Sequence, residues 1–375
     1  METRLALVSC LKDVPDPRRG NRTQYDLTEM LVVAICALLS GAEGVTEIAQ
    51  WGRAKLAWLR EFMVLPHGVP SHDTFGRVLR LLDPDVFEQS FRAWVGQVVG
   101  KLDQTVVALD GKTLRGSRDG ENRAVHLVSA YASAYGLTLG AVAVDGKSNE
   151  ITALPELLKV LDVQGAIVSI DAMGCQQAIA RQVHAQGGDY LLGLKANQGA
   201  LLEEVEYFFR IARAEYWHAV PHGYHETLEK DHGRIETRRI WCVSALEWLP
   251  QRADWQGLHQ IIMVESQRCI GAKTSTELRY YLSSSAGSPE RVAQAIRSHW
   301  TIESQLHWSL DVTLAEDACR VRKDNASMNL AILRRFVLNL LKLDPTPRLS
   351  VRAKLKQAAW DDDFRRDVLG MRPMS

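Results

Sequence analysis

The chain has 375 residues, 46% hydrophobic and 24% charged, the balance of a globular protein of more than one compact unit. Its longest apolar run, residues 30–39, is about half of what spans a bilayer, and Met1-Glu2-Thr3-Arg4 does not open a signal peptide; no membrane partner and a cytoplasmic location are expected. Formal charge is zero, yet residues 318–375 carry thirteen basic against six acidic side chains, a local +7 against −7 elsewhere that allows a phosphate-binding surface.

Residues 1–100 read as helical. Asp26 caps a helix through the run MLVVAICALL, with Glu29 placed to close a capping box. A helix over 46–62 follows, then one capped by Ser71, and Asp83-Pro84 opens a fourth with proline at its first position. TEIAQWG and PSHDTFGRVLRLL resemble a DNA-reading helical pair, with His72, Asp73, Arg77 and Arg80 on its polar side; a plain helical bundle fits the spacing equally well.

Residues 101–198 change texture. TVVALD, AVHLVSAYA and GLTLGAVAV read as strands, a helix covers 151–161, AIVSID is a buried strand, 176–184 a helix, and DYLLGL a further strand. The order predicts a mixed α/β sheet. Residues 199–286, with RIETRRIWCV, HQIIMVE and recurrent tryptophans, read as a largely β insertion. Residues 287–345 hold a long helix from Ser288-Pro289 to about Leu314 and another over 326–341; residues 346–375 form a basic C-terminal tail.

The six cysteines show no CxxC and are expected to be reduced, mostly buried thiols. His218, His222 and His225 are expected in a solvated loop rather than at a metal.

Two strands end in acids, Asp110 and Asp171, and ligand sites of open α/β sheets gather at such ends. At about 100° per residue, Glu303 falls on the apolar helix face with Ile296, Trp300, His307, Leu310 and Leu314. An inward carboxylate needs a metal ion or a cation such as arginine, unless it is exposed in a groove. Three carboxylates make an oxygen-rich set that suits Mg²⁺ or Mn²⁺, and two ions ~3.5–4 Å apart suit phosphodiester chemistry. Lys112, Arg115 and Arg118 after the first acid, and Arg320, Arg322 and Lys323 after the helix, are candidate phosphate contacts; a solvated charged surface is the plain alternative.

The runs DPRRGNRTQYDLTEMLVVAICALLSGAEG, ALDGKTLRGS, KSNEITALPELL, SIDAMGCQ, DYLLGLKANQ, DHGRIETRR and HWTIESQLHWSLDVTLAEDACRVRKDNASMNLAILRR resemble, in order and across nearly the whole chain, insertion-sequence transposases of the ISAs group, the H-repeat-associated family of the DDE superfamily. The resemblance implies an RNase H-like core interrupted by the β-rich insertion, and an N-terminal helical DNA-binding domain. It also implies metal-dependent cleavage of double-stranded DNA at the element's ends, strand transfer to a target, a homodimer in the DNA complex, and a bacterial protein on the nucleoid when bound. Asp110, Asp171 and Glu303 would be the catalytic, metal-holding acids. Related transposases carry Tyr, Arg and Lys around the last Glu where this chain has Ile296, His299 and Leu310, which leaves Asp311 and Glu316 as rivals to Glu303. His299 and His307 flank Glu303 and would orient it or contact DNA; Lys195, Asn197 and Gln198 are further candidate DNA contacts. A DNA-binding protein without catalysis and a nuclease that joins no strands are the competing functions.

Overall fold

The computed structural model describes residues 2–18, 23–118, 124–144, 149–231, 233–346 and 349–371, with 2–6 and 231 in backbone only. Residues 19–22, Lys147 and Ser148 of the family-like runs, His232, and the basic Arg348 and Arg372 lie outside the described residues.

Apolar runs make β1 (Val106–Thr113), β4 (Ile167–Ile170) and β5 (Asp189–Leu194), nearly buried throughout, as central strands covered on both faces must be. They run parallel in the order β1-β4-β5. Antiparallel β2 (His126–Ala132) and β3 (Leu137–Val144) extend the sheet beyond β1. Between the strands lie α7 (Glu150–Lys159) and α8 (Gln177–Ala185). The mixed α/β expectation holds.

Residues 199–286 open on a 16-residue helix, α9 (Gly199–Ala214), which the largely-β expectation omitted. Its start has no side-chain cap, so only the spacing of Leu201, Val205, Phe209 and Ala212 marks it. The strands that follow, β6 (Gly223–Asp231), β7 (Arg234–Val243), β8 (Gln260–Ile270) and β9 (Lys273–Ser283), continue the same sheet. β9 docks antiparallel on β5, Leu191 opposite Ser283, giving nine strands in the order β3-β2-β1-β4-β5-β9-β8-β7-β6. The free edge of β5 is thereby paired. His225 lies on β6 rather than in a loop, and the His222 ring packs 4.5 Å from Trp217.

The N-terminal helices are α1 (Glu2–Lys12), α2 (Leu27–Leu39), α3 (Val45–Ala54), α4 (Leu56–Leu59), α5 (His72–Leu81) and α6 (Pro84–Val99). Asp26, Ser71 and Asp83 cap as expected. Glu29 does not close the capping box; its carboxylate accepts from the Val64 and Leu65 amides, both at 3.0 Å. The single helix expected over 46–62 breaks at Lys55, whose ammonium pairs with Asp362 at 2.9 Å. Arg80 is held by Asp324 at 2.8 Å.

Helix α11 (Ala326–Leu343), buried through residue 341, packs against α2, α5 and α6 on one side and β3 on the other. One hydrophobic core therefore runs from Leu7 to Leu369. A second cluster, including Val106, Ile167, Ile262, Val292 and Ala295, lies under α10 (Pro289–His299), which crosses β1 and β4.

Of the basic C-terminal segment 346–375, the described residues 349–371 are largely helical. They build α12 (Val351–Trp360) and α13 (Asp362–Leu369), and Arg365 is fully buried with its guanidinium 4.1 Å from the Trp58 ring. Arg334, Arg335 and Lys354 are buried too, so much of the local +7 is spent on internal partners. Among the described residues no helix is long and apolar enough to cross a membrane. The described thiols are free, and four of the six are buried.

Candidate active site

Parallel pairing of β1 with β4 sets Leu109 opposite Ile170, so Asp110 and Asp171 follow at the same level; Asp171 leaves the sheet there, whereas β1 continues three residues past Asp110, paired with β2. Asp171 caps the short turn Ala172–Gly174, accepting from the Met173 amide at 3.1 Å. Asp110 accepts from the Gly111 amide at 2.9 Å. Both line one crevice of ≈ 430 Å³ with Glu303, His299 and Lys195.

Glu303 reaches the crevice, but not by the expected face. After Thr301 the helix widens into two π-helical segments, Ile302–His307 and Ser309–Thr313, with the Trp308 amide donating to the Glu303 carbonyl. Ile302, Leu306, Ser309 and Leu310 turn inward, continuing the buried face of Val292 and Ala295, while Trp300, which precedes the π segments, and Glu303 are exposed to the crevice. Such π segments recur at functional sites.

Among the described residues no Lys or Arg forms an ion pair with Asp110, Asp171 or Glu303. Burial, and then repulsion from Asp171, Glu303 and Glu150, pushes the Asp110 carboxyl up to about 7, against the help of the Gly111 amide. His307 Nδ1 stands 3.5 Å from Asp110 Oδ2, and its Nε2 is buried without a hydrogen-bond partner. Burial, reinforced by Arg335 and Lys112, lowers His307 to about 4, so it is neutral at pH 7. His299 hydrogen-bonds Ser169 of β4 at 2.6 Å, tying α10 to the strand that precedes Asp171.

Crowded carboxylates with a proton held by mutual repulsion are the donor chemistry of a hard divalent cation. Among the described residues no three His, Cys, Asp or Glu side chains are already gathered as a ligand set. The donors fit Mg²⁺ or Mn²⁺ by type, and Asp110, Asp171 and Glu303 are the ones that would hold it.

Asp311 and Glu316, the rivals for the third acid, are engaged elsewhere. Lys112, 7% exposed, holds Asp311 at 2.6 Å and Glu316 and Asp317 at 3.1 Å each. Arg335 closes on Glu316 from the other side at 3.2 Å. Burial works against the Lys112 ammonium, but Glu316 and Asp311 outweigh it and raise its pKa. Burial also works against the Glu316 carboxylate, and Arg335 and Lys112 outweigh it and lower its pKa. Lys112 is therefore an internal tie rather than the phosphate contact expected from its place two residues after Asp110.

Asn197 is likewise committed, donating to the Ala172 carbonyl at 2.7 Å, and Gln198 donates to Cys175 at 2.9 Å; both brace the Asp171 turn. Lys195 is exposed at the crevice wall. Arg115, Arg118, Arg320, Arg322 and Lys323 are all exposed. Gly116 brings two of their segments together: a Cβ there would sit 2.1 Å from the Cys319 carbonyl oxygen, and Arg322 donates to the Gly116 carbonyl at 3.0 Å.

Sequence reasoning missed Glu150. Its carboxylate pairs with His126 Nε2 at 2.6 Å, and a Cβ on Gly111 would fall 2.2 Å from it, so it stands directly behind the strand that carries Asp110. An acid after a strand in SNEITALPELL was visible; the fold alone brings it beside β1.

Comparison with known proteins places this geometry among relatives. The family model "Transposase DDE domain" matches residues 101–340, and "DDE_Tnp_1-associated" matches residues 8–95. The chain is 37% identical over 370 residues, 97% of both chains, to the Escherichia coli K12 protein named "H repeat-associated putative transposase YhhI". It is 36% identical to "Putative transposase YncI" of E. coli O157:H7, over 97% of this chain and 94% of that one. A shorter K12 relative, "Inactive transposase YbfQ", is 34% identical over 20% of this chain and 87% of its own length. Among solved structures, a piggyBac transposase synaptic complex with hairpin DNA overlays with a TM-score of 0.43 at 13% identity, covering all of this chain and 80% of that one.

Proposed function

Because the chain belongs to the DDE transposase family, we propose that it binds the terminal repeats of its own insertion sequence, cleaves the phosphodiester at each end and transfers the freed strand to target DNA. The observation that carries this reading is the convergence of Asp110, Asp171 and Glu303 on one crevice. The strand order β3-β2-β1-β4-β5, with only β2 reversed, supports an RNase H-like core for residues 101–198 and 287–345, with β6–β9 as the insertion and residues 1–100 as the DNA-binding region.

In this mechanism Asp110, Asp171 and Glu303 would hold Mg²⁺ or Mn²⁺, two ions in this reading, which would supply positive charge to the reacting phosphodiester. Asp110 would have to be ionised to serve as a ligand, and the neighbouring carboxylates that hold its proton would then need a cation's charge. Neutral His307 steadies Asp110 without competing as a cation. Asn197 and Gln198 keep the Asp171 turn in place, and His299 keeps the helix before Glu303 against β4. Lys195 at the crevice wall, and Arg115, Arg320, Arg322 and Lys323 beyond it, meet phosphates of the double helix. Positioning and fixed charge supply most of the acceleration. Joining two ends requires two active sites, so a homodimer works on the DNA, in the bacterial cytoplasm.

The test incubates the purified chain with a plasmid carrying its gene and native flanking DNA, in Mg²⁺, Mn²⁺ or EDTA, with Asp171→Ala as control. Metal-dependent breaks mapping to the element's ends and absent from the variant are expected. Scattered nicking would replace the reading with a general nuclease, and salt-sensitive end binding without cleavage would replace it with a DNA-binding protein.

A further inference from the structure

A groove of ≈ 1080 Å³ adjoins the acid crevice, walled by α10 and by one face of β6–β9, and shares Glu303, Trp300 and Arg279 with it. Strand alternation puts Arg234, Arg238, Arg268 and Arg279 on that face, and α10 adds Arg297 from the opposite wall. Guanidiniums repeated along a channel that ends at a carboxylate centre suit a phosphodiester backbone.

Carboxylates occupy four of the five, Arg238, Arg268, Arg279 and Arg297. Glu236, 7% exposed, holds Arg238 at 2.7 Å and Arg268 at 3.5 Å, and Glu277 holds Arg279 at 2.8 Å. Arg297 reaches across the groove from α10 to Glu229 on β6 at 2.8 Å, and Glu229 also stands 3.5 Å from Arg238. Pairs along a strand are the ordinary fate of charges on an exposed sheet. The Arg297–Glu229 bridge is different, since it ties the two walls together over the channel. Glu236 is fixed by burial, whereas Glu229 is 38% exposed and free to turn out. Such exposed pairs are weak, and a phosphate offers each guanidinium a bidentate replacement.

We infer that this groove is a gated seat for the DNA strand flanking the reacting phosphate, with Glu229 holding Arg297 and Arg238 until backbone phosphates displace it. The inference rests on the DNA reading of the adjoining crevice. Arg279, stacked 5.1 Å from the Trp300 ring, marks where the strand passes from the groove to Glu303.

The experiment measures binding of the full chain to a labelled duplex from the DNA flanking its gene, in EDTA, across a KCl series. Glu229→Gln is expected to tighten binding by about threefold per phosphate contact regained. Glu156→Gln, which removes an equally paired acid on α7 outside the groove, serves as the control for bulk charge. Arg297→Gln and Arg268→Gln are expected to weaken binding to all sequences and lower the salt slope by about one each. Glu229→Gln no tighter than Glu156→Gln, or an unchanged slope in the arginine variants, overturns the gated groove. If the wild type still binds and cuts its ends in that case, the groove alone fails; a wild type without salt-sensitive DNA binding removes the transposase reading as well.

Discussion

Asp110→Asn is expected to make the chain more stable at pH 8 while removing its metal-dependent cleavage. The Asp110 carboxyl is pushed from 3.8 up to about 7, first by burial and then by Asp171, Glu303 and Glu150. Between these values the folded chain holds a proton that the unfolded chain has released. The term is absent below about pH 4, grows unfavourable as pH rises, and is complete above about pH 7. There it costs about 2–4 kcal/mol. Asparagine keeps the oxygen that accepts from Gly111 and removes the charge, so melting temperature should rise by several degrees at pH 8 and be unchanged near pH 4. Cleavage should fall by at least about 10²–10³-fold, the scale of one lost electrostatic contact in a reacting site. Paired thermal melts at the two pH values check the account; a lower melting temperature at pH 8 would mean the crevice acids are not strained by each other.

Lys112→Met is expected to give the largest loss of stability, about 3–5 kcal/mol, because it leaves buried carboxylates without their cation. Glu316 is 1% exposed in its side chain and would retain only Arg335, while Asp311 and Asp317 would lose their shared partner. Lys112→Met combined with Glu316→Gln should recover part of the loss. Urea midpoints measure both. A Lys112→Met chain with unchanged midpoint and weaker DNA binding would restore the phosphate-contact role that its sequence position suggests.

The two aspartates were legible because a buried run ending in Asp means the same thing twice when the strands are parallel neighbours. Glu303 is found on another face than the one drawn through Ile296, Trp300 and His307. At 3.6 residues per turn the buried residues Val292, Ala295, Ile302, Leu306 and Leu310 share a face of their own, with Trp300 and Glu303 to its side, so Glu303 meets the aspartates from the crevice rather than from the core. Lys112 was misassigned since linear proximity to Asp110 does not disclose Glu316 and Arg335, both distant in sequence and both buried against it. The basic end misled for the same reason: Arg334, Arg335, Lys354 and Arg365 look like surface charge until their carbonyl, carboxylate and aromatic partners are in place. Glu150 escaped notice because its meaning depends on α7 returning behind β1. The family-like runs, by contrast, cover the crevice segments around Asp110, Asp171, Lys195 and Glu303, though not Leu202 and Glu206 of α9 or residues 277–281 of β9.

The most direct measurement is anomalous diffraction from crystals of the wild-type chain soaked in Mn²⁺. Peaks within about 2.0–2.5 Å of carboxylate oxygens of Asp110, Asp171 and Glu303 are the predicted result. Mn²⁺ seated instead on Asp311, Glu316 or Asp317, or a crevice left empty at saturating Mn²⁺, would contradict the assignment of these three acids as the reacting centre.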